Sequence, residues 1–257
     1  MTLRLSNLTK AYGGQVVVDH VGFSMPVTGL VGLIGPNGAG KSTLFSLITG
    51  FLDGGEGEVW LGNRALHGQP PFERARAGMV RTFQVPREYI HLTVRENLMA
   101  AAPVQAGETL TGLFFRPAQV AREEAEIGAK VDETLVFLKL DRVADVPAGK
   151  LSGGQKKLLE LGRALMTGAK LILLDEPFSG VNPVLIEELS ARIRDLNARG
   201  VGFLIIEHDL GALSRLVTEM HVMDRGRLIA SGTPAEVLAA PAVREAYLGG
   251  DVAGAAA

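Results

Sequence analysis

Nine residues carry the most specific chemistry in the chain. Gly35, Pro36, Asn37, Gly38, Ala39, Gly40, Lys41 and Ser42 fit the spacing G-x-x-x-x-G-K-[ST], and Thr43 follows it. Glycines at these positions let successive backbone N–H groups curl around an anion with no Cβ in the way. Lys41 offers a cation to the β- and γ-phosphates of a nucleotide, and the Ser42 hydroxyl is a ligand for Mg²⁺. Such a loop needs a strand before it and a helix after it. The runs Leu30-Val31-Gly32-Leu33-Ile34 and Leu44-Phe45-Ser46-Leu47-Ile48 meet that requirement. A helix opening near Lys41 also turns its positive dipole end toward the same phosphates. The bland alternative is a glycine-rich turn that caps a helix and leaves Lys41 solvated. The flanking strand and helix argue against it.

Candidate collaborators are spread along the chain. Lys170-Leu171-Ile172-Leu173-Leu174 shows no alternation, as a strand buried on both faces requires, and ends in Asp175-Glu176-Pro177. Acids at the carboxyl end of such a strand face the crevice where α/β sheets bind ligands. Asp175 fits a Walker B aspartate holding Mg²⁺, and Glu176 fits a base that polarises the attacking water. Two solvated turn acids are the plain alternative. Val201 to Ile206 is the next strand and runs into Glu207-His208-Asp209, so His208 is the one histidine of five in a crevice position. His20, His67, His91 and His221 read as loop or packing residues. Met79 to Phe83 is a short strand ended by Pro86, and Gln84 between them could set an amide near the metal and the water. Tyr12, just ahead of Gly13-Gly14, is either a loop residue over a strand end or a flat platform for a base. Ser152 and Gln155 make a capping box at the start of a helix, yet Gly153 and Gly154 equally expose N–H groups to an anion. The local pattern leaves both readings open.

An α/β architecture supplies such positions. Leu3, Leu5 and Leu8, then Val16 to Phe23, predict two strands around Tyr12-Gly13-Gly14. Glu58 to Gly62 is a further strand with the only tryptophan, Trp60, as a packing residue. From Thr93 the pattern turns helical: Thr93-Val94-Arg95-Glu96 is a capping box, and Arg122 to Leu140 has a helical period. Gly107 to Pro117 reads as a loop or helix pair with exposed apolar surface. Residues 88–165 are therefore expected to form a helical lobe inserted into an α/β core of 1–87 and 166–248, with 249–257 as a flexible tail. Asn182 with Pro183, Asp209, and Thr233-Pro234-Ala235-Glu236 read as helix starts in the second half.

Composition narrows the partners. The formal net charge of −2 gives no global basic field to recruit nucleic acid. With no cysteine, disulfides and thiolate metal sites are excluded. Val21 to Gly40 carries no charge, but six glycines, two prolines and Asn37 rule it out as a membrane helix. The N-terminus is too short and too alternating for a signal peptide, so the expected place is the cytoplasm.

Together and in this order, the motifs resemble the nucleotide-binding subunits of ABC transporters over essentially the whole chain. The resemblance assigns Tyr12 as A-loop, Gly35–Thr43 as Walker A, Gln84 as Q-loop, Leu151–Gln155 as signature, Leu171–Glu176 as Walker B and His208 as switch histidine. It implies an α/β P-loop ABC ATPase core with an antiparallel β subdomain and an inserted helical subdomain. ATP and Mg²⁺ are the implied ligands, the metal being held by Ser42, Gln84 and Asp175. It also implies a head-to-tail dimer with a second copy or a paralogue, in which Ser152, Gly153, Gly154 and Gln155 of one subunit meet the ATP on the other. Ser152 then caps its helix in the monomer and binds a γ-phosphate in the closed dimer. The further partners are integral membrane permease subunits and, indirectly, a substrate-binding protein, which would hold the chain on the inner face of the membrane. The likeness is greater to ATPase subunits of branched-chain amino-acid importers. It rests on Gly50-Phe51, Arg81-Thr82-Phe83-Gln84, Thr93 to Leu98, Gly112-Leu113-Phe114, Ile206 to Asp209 and Ala246-Tyr247-Leu248-Gly249. Urea and lipopolysaccharide transporter subunits share some of these and are the alternative. A soluble, non-transport ABC ATPase is a weaker one, since the chain has one motif set and no heptad run. Asn182 departs from the aspartate usual in the D-loop.

Overall fold

The computed structural model describes residues 1–83, 87–103, 105 and 114–252, without the side chains of 248–252. Its contacts divide the chain into two units, one of residues 1–84, 170–179 and 193–257 and one of residues 85–169 and 180–192.

In the first unit, β1 (Thr2–Tyr12) and β2 (Gln15–Pro26) form a hairpin, and β4 (Glu56–Leu61) and β5 (Arg64–Ala65) extend it into an antiparallel sheet of order β2-β1-β4-β5. Leu3, Leu5 and Leu8 all face inward although their spacing breaks a two-residue alternation. The register shift between Leu5 and Leu8, where Asn7 has φ 51°, makes this possible: the extra residue returns the apolar face to the core.

The second sheet carries the site. It comprises β3 (Leu30–Ile34), β6 (Met79–Arg81), β7 (Leu171–Asp175), β8 (Gly202–Ile206), β9 (Glu219–Asp224) and β10 (Arg227–Gly232), in the order β10-β9-β3-β8-β7-β6. Only the β9–β10 pair is antiparallel. Every residue of β3, β7 and β8 is buried, which is why these strands read as unbroken apolar runs. Helix α1 (Lys41–Thr49) lays Leu44, Phe45 and Ile48 into the same core as Leu33, Leu173 and Leu204, all fully buried. Each such side chain is worth about 1.5–3 kcal/mol of transfer free energy. Helix α2 (Pro71–Arg76) precedes β6.

The second unit is helical: α3 (Val94–Met99), α4 (Pro117–Phe137), two short 3-10 turns and α5 (Gly153–Met166). The capping box read at Thr93 and Glu96 is present. Asn97 is fully buried and satisfied, its amide donating to the carbonyls of Tyr89, Leu92 and Thr93 and accepting from the Tyr89 N–H. Phe114 and Phe115 are exposed, and the rest of the predicted apolar cluster at 107–113 lies outside the described residues. Helix α6 (Pro183–Ala198) starts in this unit and ends in the first, with the Asn182 side chain accepting from the Leu185 N–H. Helices α7 (Leu210–Leu216), α8 (Pro234–Ala239) and α9 (Pro241–Val252) complete the first unit, and α9 runs into the expected tail as far as Val252. No helix of the described residues is long and apolar enough to cross a membrane.

Candidate functional site

The loop between β3 and α1 can only be built from glycine at its two ends. Gly35 has φ 152°, and a Cβ there would lie 2.1 Å from the Met223 carbonyl oxygen. Gly40 has φ 97°, and its Cβ would meet the Val17 carbonyl oxygen at 2.4 Å. Gly40 is also the residue before α1 and has no side chain to cap it, so the first-turn N–H groups remain open to an anion. Lys41 is nearly buried, with Nζ donating to the carbonyl oxygens of Gly35 at 2.8 Å and Pro36 at 3.0 Å. Burial pushes its ammonium down from the usual lysine range, against the pull of the Glu176 and Asp175 carboxylates. A cavity of about 210 Å³ is lined by Val17, the run Asn37 to Thr43, Glu176 and His208.

Strand register explains how residues far apart in sequence come to that cavity. Asp175, the last residue of β7, pairs with Ile206, the last of β8, and the Glu176 N–H donates to the Ile206 carbonyl at 2.9 Å. The two chain turns that follow are thus level, and His208 Nε2 comes 2.8 Å from Glu176 Oε1. Glu176 has φ 49°, a left-handed conformation that costs a side chain about 1–3 kcal/mol. Glu207 lies behind them and binds both turns, accepting from the N–H groups of Phe178 and His208. Burial raises its carboxyl pKa, and these backbone donors partly offset the rise. Asp209 caps α7 by accepting from the Ala212 N–H at 2.8 Å. Asp175 is not a solvated turn acid: its side chain is 7% exposed and its Oδ2 accepts from Arg81 Nη2 at 2.6 Å.

Other candidates stand elsewhere. Tyr12 closes β1 at the hairpin turn, half exposed, with the Lys10 ammonium 5.4 Å from its ring centroid, and it does not line the cavity. Gln84 lies outside the described residues. In the second unit, Ser152 and Gln155 form the capping box, with Ser152 Oγ accepting from the Gln155 N–H at 3.3 Å and Gln155 Oε1 accepting from the Ser152 N–H at 3.0 Å. Gly154 has its own packing reason, because a Cβ would lie 1.5 Å from Leu185 Cδ2 on α6. Three residues of interest escaped a reading by motif. Arg81 gave one signal, a charge in an otherwise apolar strand. Glu207, an acid between Ile206 and His208, matches no catalytic motif of its own. Tyr247 hydrogen-bonds the Gly35 backbone from α9, and burial raises its phenol pKa.

The donor set fits a hard divalent cation. Ser42 and Asp175 offer a hydroxyl and a carboxylate oxygen, both hard donors. That is the pattern for Mg²⁺, which is held by one or two carboxylates together with substrate phosphates.

Comparison with known proteins agrees with this geometry. A family model described as ABC transporter matches residues 18–179, and one described as branched-chain amino acid ATP-binding cassette transporter matches residues 227–253. The chain is 41% identical over 251 residues to the probable branched-chain amino acid transport ATP-binding protein LivG of Methanocaldococcus jannaschii, over 96% of this chain and 97% of that protein. It is 34% identical over 247 residues to the lipopolysaccharide export system ATP-binding protein LptB of Acidithiobacillus ferridurans, over 96% of each. A crystal structure of the ADP conformation of an ATP-binding cassette of an ABC transporter is 40% identical, with a TM-score of 0.82 over 97% of this chain and 99% of that one.

Proposed function

The chain belongs to the ABC transporter family, and from that premise we propose that it is the ATP-hydrolysing subunit of a membrane importer for branched-chain amino acids. The observation that carries the chemistry is the shared cavity: Glu176 and His208 line the same space as Lys41 and Ser42. Residues Gly35 to Thr43 hold the phosphates through backbone N–H groups. Two of the three Lys41 ammonium donors are used by Gly35 and Pro36, which leaves one for a phosphate oxygen. Ser42 and Asp175 would hold Mg²⁺, joined by Gln84, and the bound metal would supply charge neutralisation at the phosphates. Tyr12 is the platform for the adenine.

Glu176 accepts a proton from water as the water oxygen bonds to the γ-phosphorus. The bond from that phosphorus to the bridging oxygen breaks, and ADP leaves with the electron pair. His208, in hydrogen bond with Glu176 Oε1, keeps the carboxylate aimed at the water. Replacing Glu176 with Gln keeps the shape and removes the acceptor. ATP binding should persist while hydrolysis falls roughly 10²–10⁴-fold. Phosphate release at the wild-type rate would remove Glu176 from this role.

The dimer and its membrane partners follow from the family reading. A second subunit, a copy or a paralogue, contributes Ser152, Gly153, Gly154 and Gln155 to the ATP. Permease subunits then hold the protein on the inner face of the membrane. The exposed apolar side chains of Tyr89, Ile90 and Leu92 in the second unit are the surface offered to a permease. Cargo choice is assigned to the permease and a substrate-binding protein, since the cavity described is one for phosphate and metal. The match over residues 227–253 and the likeness to LivG favour branched-chain cargo over the lipopolysaccharide alternative. Deleting the gene, with no redundant system present, should abolish uptake of leucine, isoleucine and valine. Unchanged uptake of all three overturns the cargo and leaves the ATPase reading standing.

A further inference from the structure

Arg81 on β6 bonds Asp175 directly and is linked to Ser42 through Ser46. Its Nη2 donates to Asp175 Oδ2 at 2.6 Å, and its Nη1 donates to Ser46 Oγ at 2.9 Å. Ser46 in turn donates to the backbone carbonyl of Ser42 at 2.7 Å. One rigid guanidinium plane therefore connects the acid at the end of β7 to the turn of α1 that presents the Ser42 hydroxyl. The pair is nearly dry, with side chains 8% and 7% exposed, and the plane sits beside the rings of Phe45 and Phe83. Among the described residues Arg81 Nε is buried without a hydrogen-bond partner, so Asp175 and Ser46 set the orientation of the fork.

As a stabiliser this arrangement is poor. Desolvating two charges offsets much of their attraction, and a buried N–H without an acceptor adds a further cost. As an orienting device it does what an apolar pair cannot. It fixes Asp175 by one oxygen, and among the described residues no donor reaches the other, Oδ1. We propose that Arg81 is a positioning residue for the Mg²⁺ site, setting the Ser42 hydroxyl and Asp175 Oδ1 at the spacing the cation needs. The proposal rests on the reading of Ser42 and Asp175 as ligands. Outer-shell partners that hold a ligating carboxylate typically matter 10–100-fold for metal affinity. Lysine would not substitute fully, because one ammonium lacks the planar fork that serves both acceptors.

The test uses Mn²⁺ as a paramagnetic probe, titrated into the full-length protein saturated with ADP and read by electron paramagnetic resonance. Arg81→Gln should weaken Mn²⁺ binding about 10–100-fold, with ADP affinity in EDTA unchanged. Arg81→Lys should recover part of the loss, and Ser46→Ala, which frees one end of the fork, should lose several-fold. Asp175→Asn separates the two ideas. If it binds Mn²⁺ like the wild type, Asp175 is not a ligand and the proposal falls with that reading. If Asp175→Asn loses affinity while Arg81→Gln and Ser46→Ala keep it, Arg81 positions nothing. Should Arg81→Gln fail to fold, Ser46→Ala decides alone: a loss supports the proposal and wild-type affinity overturns it.

Discussion

His221 lies on β9 with 2% of its surface exposed, its ring 4.3 Å from that of Phe23 and its Nδ1 2.8 Å from Ser231 Oγ. Among the described residues its Nε2 is buried without a hydrogen-bond partner, and the Glu219 carboxylate lies 3.7 Å away. Burial lowers its pKa from 6.5 to about 4. Between those values the unfolded chain binds a proton that the folded chain refuses, so stability rises with pH across the window and falls as pH drops through it. A depression of this size corresponds to about 3 kcal/mol lost between pH 7 and pH 4. Urea unfolding of the wild type and His221→Gln across that range should show a steeper pH dependence for the wild type. Parallel curves would show that His221 is protonated as readily in the fold as out of it. The sequence reading of His221 as a packing residue describes its environment well, but nothing local announces the lost basicity. That depends on Phe23 and Ser231, which belong to other strands.

At the scale of elements, legibility follows how local the cause is. The capping boxes at Thr93, Ser152 and Thr233 were readable because four consecutive residues contain both the donor and the acceptor. The continuous apolar runs of β3, β7 and β8 were readable for a similar reason, since burial on both faces leaves no room for alternation. The phosphate loop was readable because its glycines, lysine and flanking elements are contiguous. Strand order was not readable. The level ends of β7 and β8, which put His208 on Glu176, arise from parallel register between segments joined by a helix. The ion pair between Arg81 and Asp175 spans 94 residues and has the same origin in the pairing of β6 with β7. Gly154 illustrates the limit in another way. Its motif suggested an anion-binding N-terminus, whereas its packing requirement comes from Leu185 on α6. The two demands coexist at one residue, and a motif reports only the first.

For the whole molecule, the decisive question is whether each ATP is served by one chain or by two. Ser152 answers to its own helix, where it accepts from the Gln155 N–H. In the proposed dimer it also meets the γ-phosphate held by the other subunit. A chain bearing Lys41→Ala lacks the phosphate cation, and a chain bearing Ser152→Arg presents bulk and charge where the partner's phosphate would lie. Losing the Ser152 cap costs about 1 kcal/mol, which the fold should tolerate and circular dichroism can check. Each variant alone then forms dimers with two singly damaged sites and should be inactive. A mixed dimer pairs the intact loop of the Ser152→Arg chain with the intact signature of the Lys41→Ala chain. It has one whole site and one doubly damaged site. With random exchange in an equal mixture, roughly a quarter of wild-type turnover should return if one whole site can work alone. Mixed dimers demonstrated by differential tagging, yet silent in a phosphate-release assay that includes a single-site positive control, would return Ser152 to the cap alone. Recovered turnover that rises with the fraction of mixed dimers assigns the signature of each chain to its partner's ATP.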